Sequence, residues 1–266
     1  MMKKQIIDLS VPLKAGIPSD PEQQLPKIEY SDHATGAKQM AAIFHGLNPN
    51  DLPEAQGWAV ETMKITTHSG THMDAPYHFH SIDENGKPMP TIDEIPLDWF
   101  YGPGVKLDFR NFEDGHVVTV NEIKEELKRI GHELQPEDIV LVNTSAGAKY
   151  GEDDYLNSGC GIGREGTLYL TEQGVRLVGT DAWSWDIPFT LMEKHFQETK
   201  DLSIIWEGHF AGRKRPYCQM EKMGNLDKLP GTGFHVIALP VNIYKASAGW
   251  TRPIAIIDEM EENTNV

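Results

Sequence analysis

The stretch from His68 to His78 constrains this chain more than any other. It reads His-Ser-Gly-Thr-His-Met-Asp-Ala-Pro-Tyr-His, which sets three imidazoles and a carboxylate at the spacing H-x3-H-x-D-x3-H. Pro76 forbids one continuous helix, because it lacks an amide hydrogen and its ring clashes with the preceding turn. In extended chain, residues two apart share a face, which puts His72 beside Asp74. Gly70 permits a bulge or sharp bend that returns His68 to the same point. Two imidazole nitrogens and a carboxylate oxygen facing one point suit Zn²⁺, Mn²⁺ or Fe²⁺, with positions left over for water and substrate. His78 falls just beyond that point, where a proton shuttle is useful. Residues 58–67, β-branched and roughly alternating, read as a strand running straight into the stretch.

Around this motif the pattern predicts further strands at 5–11, 103–110, 138–144, 175–179, 202–206, 233–240 and 255–257. Helices are expected near 37–44, over 121–129 and over 167–173. The second has Ile123 and Leu127 at i,i+4 and ends at Gly131. Strands mixed with helices argue for an α/β domain with a mixed sheet. One domain is expected over 1–258, with a fraying acidic tail at 259–266. Residues 14–58 are rich in Pro, Gly and Asp, and such long, weakly regular segments are usually functional; this one is expected to contribute to the active site.

Composition narrows the class. The chain has 266 residues, 39% of them hydrophobic, with six Trp, nine Phe and eight Tyr, which is core material that a disordered chain lacks. Twenty-four Lys and Arg stand against 40 Asp and Glu, a net charge of −16 that would repel nucleic acid. No apolar run is long enough to span a bilayer, and the start breaks too early for a signal-peptide core. A cytoplasmic protein with no membrane partner is the expectation. Two cysteines, Cys160 and Cys218, make no disulfide framework and fit a reducing compartment.

Other motifs are weaker. His209 and Glu221 could complete the site from a distant strand or loop. Gly161 to Gly166 spells G-x-G-x-x-G, but a polar loop precedes it, whereas the dinucleotide fingerprint must directly follow a strand. Asn143-Thr144-Ser145 is a glycosylation sequon at the end of a buried strand and is discounted. There is no G-x-S-x-G. Of the aromatic residues, most are expected in the core, while Trp58, with Phe44 and Tyr77, is expected to line a pocket for a flat aromatic substrate.

The run from His68 to Phe79 resembles the H-x-G-T-H-x-D-x-P-x-H signature of the metal-dependent cyclase family, which includes bacterial kynurenine formamidase and isatin hydrolase. The likeness continues at Gly174 to Asp181, at Gly208-His209, and at Met220-Glu221-Lys222-Met223-Gly224-Asn225-Leu226, similar to an L-E-N-L-x-N-L segment. The long early segment, Asp181 to Asp186 and Trp206 to His209 resemble the isatin-hydrolase branch most. The resemblance implies a swivelling β/β/α fold, assembled as a homodimer or homotetramer. It implies metal ligation by His68, His72 and Asp74, with His78 as general acid/base. It implies one divalent metal, Mn²⁺ before Zn²⁺, with His209 contacting substrate; in the two-zinc formamidases, residues spaced like His209 and Glu221 help bind a second ion. A small aromatic amide is the implied substrate: isatin first, N-formylkynurenine second, with a non-catalytic metal-dependent binder of aromatic acids as the third alternative. The departure around Gly163 to Thr171 bears on the substrate rather than the metal.

Overall fold

The computed structural model describes residues 3–259. Its strands are β1 (Lys3–Asp8), β2 (Lys27–Ser31), β3 (Val60–Lys64), β4 (His72–Asp74), β5 (Tyr101–Asp108), β6 (Val117–Val118) and β7 (Ile139–Asn143). The chain continues through β8 (Gly161–Ile162), β9 (Leu177–Thr180), β10 (Cys218–Glu221), β11 (Phe234–Ile237), β12 (Ala248–Trp250) and β13 (Ile254–Glu259). The helices are α1 (His33–Ile43), α2 (Pro76–Phe79), α3 (Val120–Arg129), α4 (Arg164–Glu172), α5 (Phe189–Thr199) and α6 (Glu207–Ala211).

One large mixed sheet dominates, in the order β1-β13-β11-β5-β7-β9-β10-β4-β12. Its centre, β5-β7-β9-β10, is parallel, and the strands on either side are antiparallel. β7 shows why. It reads Ile-Val-Leu-Val before Asn143, apolar on both faces, as a strand covered on both sides must be. Ile139 and Leu141 enter one core with Met73, Leu177, Met220 and Phe234. Val140 and Val142 enter the other with Ile123 and Leu127 of α3 and Leu170 of α4. Each such side chain contributes about 1.5–3 kcal/mol by leaving water. α3 starts at a reciprocal cap, in which Thr119 and Glu122 each satisfy the other's backbone amide. The mixed α/β architecture is therefore as expected, and both cysteines are buried thiols. No helix among the described residues is long and apolar enough to cross a membrane.

Two expectations fail locally. Residues 202–206 are not a strand. Leu202–Ile204 is a short 3₁₀ turn. The Asp201 side chain accepts the Ser203 amide there, and Trp206 has left-handed backbone, φ 55°, which no strand tolerates. The strand over 58–67 is also shorter and does not reach the motif. β3 ends at Lys64, pairs only with β2 in a small separate sheet, and a turn closed by the Ser69 amide on the Thr66 carbonyl leads to His68. The tail expected from residue 259 lies outside the described residues, apart from Glu259 at the end of β13.

Candidate active site

Strand register builds the site. β4 lies between β10 and β12, with His72 opposite Glu221 and Asp74 opposite Gln219. The two-residue period places these four side chains on one face. Met73 and Met220, on the other face, enter the apolar core. A slip of one residue would exchange core and site. His68 reaches the same point over a bend at Gly70, whose φ of +63° favours glycine. Pro76 opens the short helix α2, which carries His78.

All four motif residues meet at Asp74. Its Oδ1 lies 2.9 Å from His68 Nδ1 and 3.3 Å from His72 Nε2, and its Oδ2 lies 4.0 Å from His78 Nε2. Glu221 Oε2 is 3.6 Å from His72 Nε2, and Glu221 Oε1 is 3.5 Å from His209 Nε2. The donor atoms form two overlapping sets that share Asp74: His68, Asp74 and His78, and His72, Asp74 and Glu221.

These residues fit a divalent cation on their own chemistry. His72 Nδ1 lies 2.9 Å from the Gly70 carbonyl, to which its N–H donates, so the Nε2 lone pair points at two carboxylates. Lone pair against carboxylate is repulsive unless a cation stands between them. His72 Nε2 and Asp74 Oδ1 are both buried without a hydrogen-bond partner. Each such atom costs about 1–3 kcal/mol if left so.

The charges shift accordingly. Burial disfavours ionised Asp74, yet the three histidines hold its carboxyl well below the usual range. Burial lowers His78 to about 4, with His68 and His209 adding to that and Asp74 opposing it. His78 is therefore a neutral imidazole near pH 7. Burial also opposes protonation of His209, but its bonds to Asp186 and Glu221 raise it to about 9. Asp186 Oδ2 accepts from His209 Nδ1 at 2.5 Å, while Asp186 also takes the Gly208 and His209 amides. The imidazole is thereby fixed in orientation.

The cavity over these groups holds about 300 Å³, at the lower end for small-molecule sites. His68, His72, His78, His209 and Glu221 all line it. Its aromatic wall is different from the one expected. Trp183, Phe189 and Trp206 form it, and Trp206 stacks on His209 at 4.3 Å and 19°. Trp58, Phe44 and Tyr77 do not line the cavity in this chain and are 40%, 54% and 44% exposed. Trp58 precedes β3 instead of leading into the motif, and its Nε1 donates to Gln39 of α1. Of the early segment, Gln24 reaches the cavity wall. Gln219, Asp186 and Lys222 were not singled out as site residues. Alternation from Glu221 was the available signal for Gln219; the other two depend on long-range contacts.

The glycine-rich run has a packing role. A Cβ on Gly163 would come within 2.8 Å of Val117 and 2.9 Å of Glu207. The Glu207 carboxylate accepts the Arg164 amide at the start of α4, the position a phosphate would need. Asn143 of the sequon is 3% exposed and bonds Asp181.

Comparison with known proteins agrees with this frame. A family model described as "Putative cyclase" matches residues 7–187. A kynurenine formamidase of Salinibacter ruber (strain DSM 13855 / M31) is 32% identical over 194 residues, 73% of this chain and 77% of that protein. One of Erythrobacter litoralis (strain HTCC2594) is 29% identical over 195 residues, covering 73% and 76%. Isatin hydrolase A from Labrenzia aggregata, solved with benzyl benzoate, superposes with a TM-score of 0.72 at 24% identity, over 96% of this chain and 94% of that one. Isatin hydrolase A from Ralstonia solanacearum gives 0.74 at 21% identity, over 96% and 92%. At those identities the two structures establish a shared fold.

Proposed function

The chain belongs to the cyclase family as a metal-dependent hydrolase, and we propose that it opens a cyclic aryl amide, with isatin giving isatinate as the leading substrate. One observation carries this choice. Among the described residues lining the cavity, Lys222 is the one Lys or Arg, and its ammonium is already paired with Asp20. A neutral flat amide suits aromatic walls whose cations are already held, Lys222 by Asp20 and protonated His209 by Asp186, whereas the α-carboxylate of N-formylkynurenine would find neither free.

In this reading His68, His72 and Asp74 hold one divalent ion, Mn²⁺ or, as the alternative, Zn²⁺. When bound, such an ion polarises a carbonyl and lowers the pKa of a water from about 16 toward about 7. His78 takes the proton of the attacking water as the carbon–oxygen bond forms. It returns that proton to the departing anilide nitrogen as the carbon–nitrogen bond breaks. Trp206 and Trp183 stack on the aryl ring, and the His209 ring, oriented by Asp186, contacts the substrate. A single ion is supported by Gln219, whose amide nitrogen lies 2.6 Å from His209 Nε2, 2.8 Å from Glu221 Oε1 and 3.2 Å from Asp74 Oδ2. That nitrogen fills the space between His209, Glu221 and Asp74.

The alternative is N-formylkynurenine hydrolysis with two Zn²⁺. The sharing of Asp74 between two donor sets favours it, as do the formamidase relatives. The test is to strip the metal, restore Mn²⁺ or Zn²⁺ separately, and compare kcat/KM for isatin and N-formylkynurenine. Strong preference for isatin with one Mn²⁺ per chain is expected. Preference for the formamide with two Zn²⁺ would replace the leading reading, and inactivity on both would remove both substrates.

A further inference from the structure

We propose that Lys222 and Asp20 form a buried positioning pair that holds His68 and the early segment 16–24 in register with the cation site. The inference rests on the metal-dependent reading above. Lys222 follows Glu221 at the end of β10 and is 2% exposed, rare for a lysine. Its backbone is left-handed, φ 54°, a conformation uncommon for a long side chain.

Every polar group of Lys222 is engaged with a different part of the site. Its amide donates to the Ala182 carbonyl at 3.0 Å, and its carbonyl accepts from Thr71 Oγ1 at 2.6 Å. Its ammonium donates to Asp20 and to the His68 carbonyl, the latter at 2.8 Å. Asp20, with its side chain also 2% exposed, accepts from Ser19 Oγ at 3.0 Å and from Trp183 Nε1 at 3.3 Å. One ion pair thus ties together the His68 turn, the segment leading to Gln24, the Trp183 wall and the end of the strand carrying Glu221.

Stability is a poor reason for such a pair. Desolvating both charges roughly cancels their attraction, and an apolar replacement of both is often neutral or better. Holding a fixed geometry is the better-supported use. Removing a group that orients a metal ligand typically weakens metal binding about 10–100-fold.

The test separates position from stability. Full-length apo protein is titrated with Mn²⁺, following the free ion by electron paramagnetic resonance, for wild type, Asp20→Asn and the double variant Asp20→Asn/Lys222→Met. Amide hydrogen exchange is read over residues 16–24 and 66–70 in the same metal-free samples, with melting as the check on folding. The double variant, which leaves no lone buried charge, is expected to melt near wild type. It should bind Mn²⁺ about 10–100-fold more weakly and exchange faster in both segments. Wild-type exchange in both segments together with Mn²⁺ affinity within about threefold of wild type would overturn the pairing role. Should the double variant not fold, Asp20→Asn decides the question by the same two readouts, with the same expected and overturning results. If wild type itself binds neither Mn²⁺ nor Zn²⁺, the metal reading fails, and the exchange of segment 16–24 still decides whether the pair positions it.

Discussion

Asp181 ends the run from β9 and begins the loop that carries Trp183 and Asp186 to the site. Its carboxylate is 2% exposed and accepts from the Thr144 amide at 2.9 Å, Thr144 Oγ1 at 2.7 Å and Asn143 Nδ2 at 2.6 Å. Burial pushes its carboxyl from the ordinary 3.8 up to about 7, with those donors opposing the rise. A raised pKa means that the folded state holds the proton more tightly than the unfolded chain. The resulting stability is complete below 3.8, falls as the unfolded chain ionises, and is gone once the pH passes about 7. The gap between 3.8 and about 7, at about 1.4 kcal/mol per unit, gives about 4 kcal/mol. Asp181→Asn removes this titration at nearly constant volume. Its new amide needs an acceptor, and Asn143 Oδ1, buried and without a partner, supplies one once the Asn143 amide turns over. Urea unfolding of both proteins across the pH range measures the effect. Wild-type stability relative to the variant should fall by about 4 kcal/mol between about pH 4 and about pH 8, or about 10 °C in Tm. A difference that stays constant over that interval would refute the reasoning.

Three other outcomes follow from the site. His78→Ala should keep Mn²⁺ affinity, because the proposed ligands His68, His72 and Asp74 stay, while kcat drops about 10²–10⁴-fold; turnover at the wild-type rate would remove His78 from its role. Trp206→Ala takes away the ring stacked on His209 and should raise KM for isatin about threefold to tenfold, and an unchanged KM would show that this wall does not hold substrate. Stripping the metal should lower Tm, since it leaves His72 Nε2 and Asp74 Oδ1 unpartnered, and Mn²⁺ at about 100 times its Kd should restore about 2.7 kcal/mol; a Tm indifferent to chelator would contradict a cation at these atoms.

Local chemistry is legible in the sequence alone. The H-x3-H-x-D-x3-H spacing, with Gly70 and Pro76, points to converging ligands because a bend, a two-residue period and a helix stop are properties of neighbouring residues. The β7 strand and the α3 helix were equally plain, since Ile139 to Val142 is continuously apolar and Ile123 and Leu127 recur at helical spacing. Tertiary structure decided what depends on partners remote in sequence. The β4–β10 register sets Glu221 against His72 and Gln219 against Asp74. No local pattern specifies which strands pair or in what register. Trp58 precedes the motif in sequence, yet Trp206 forms the aromatic wall, since left-handed backbone at the start of α6 turns that ring over His209. Asp20 and Lys222 are separated by 202 positions. Their pairing arises only when folding brings both charges out of water at the same point.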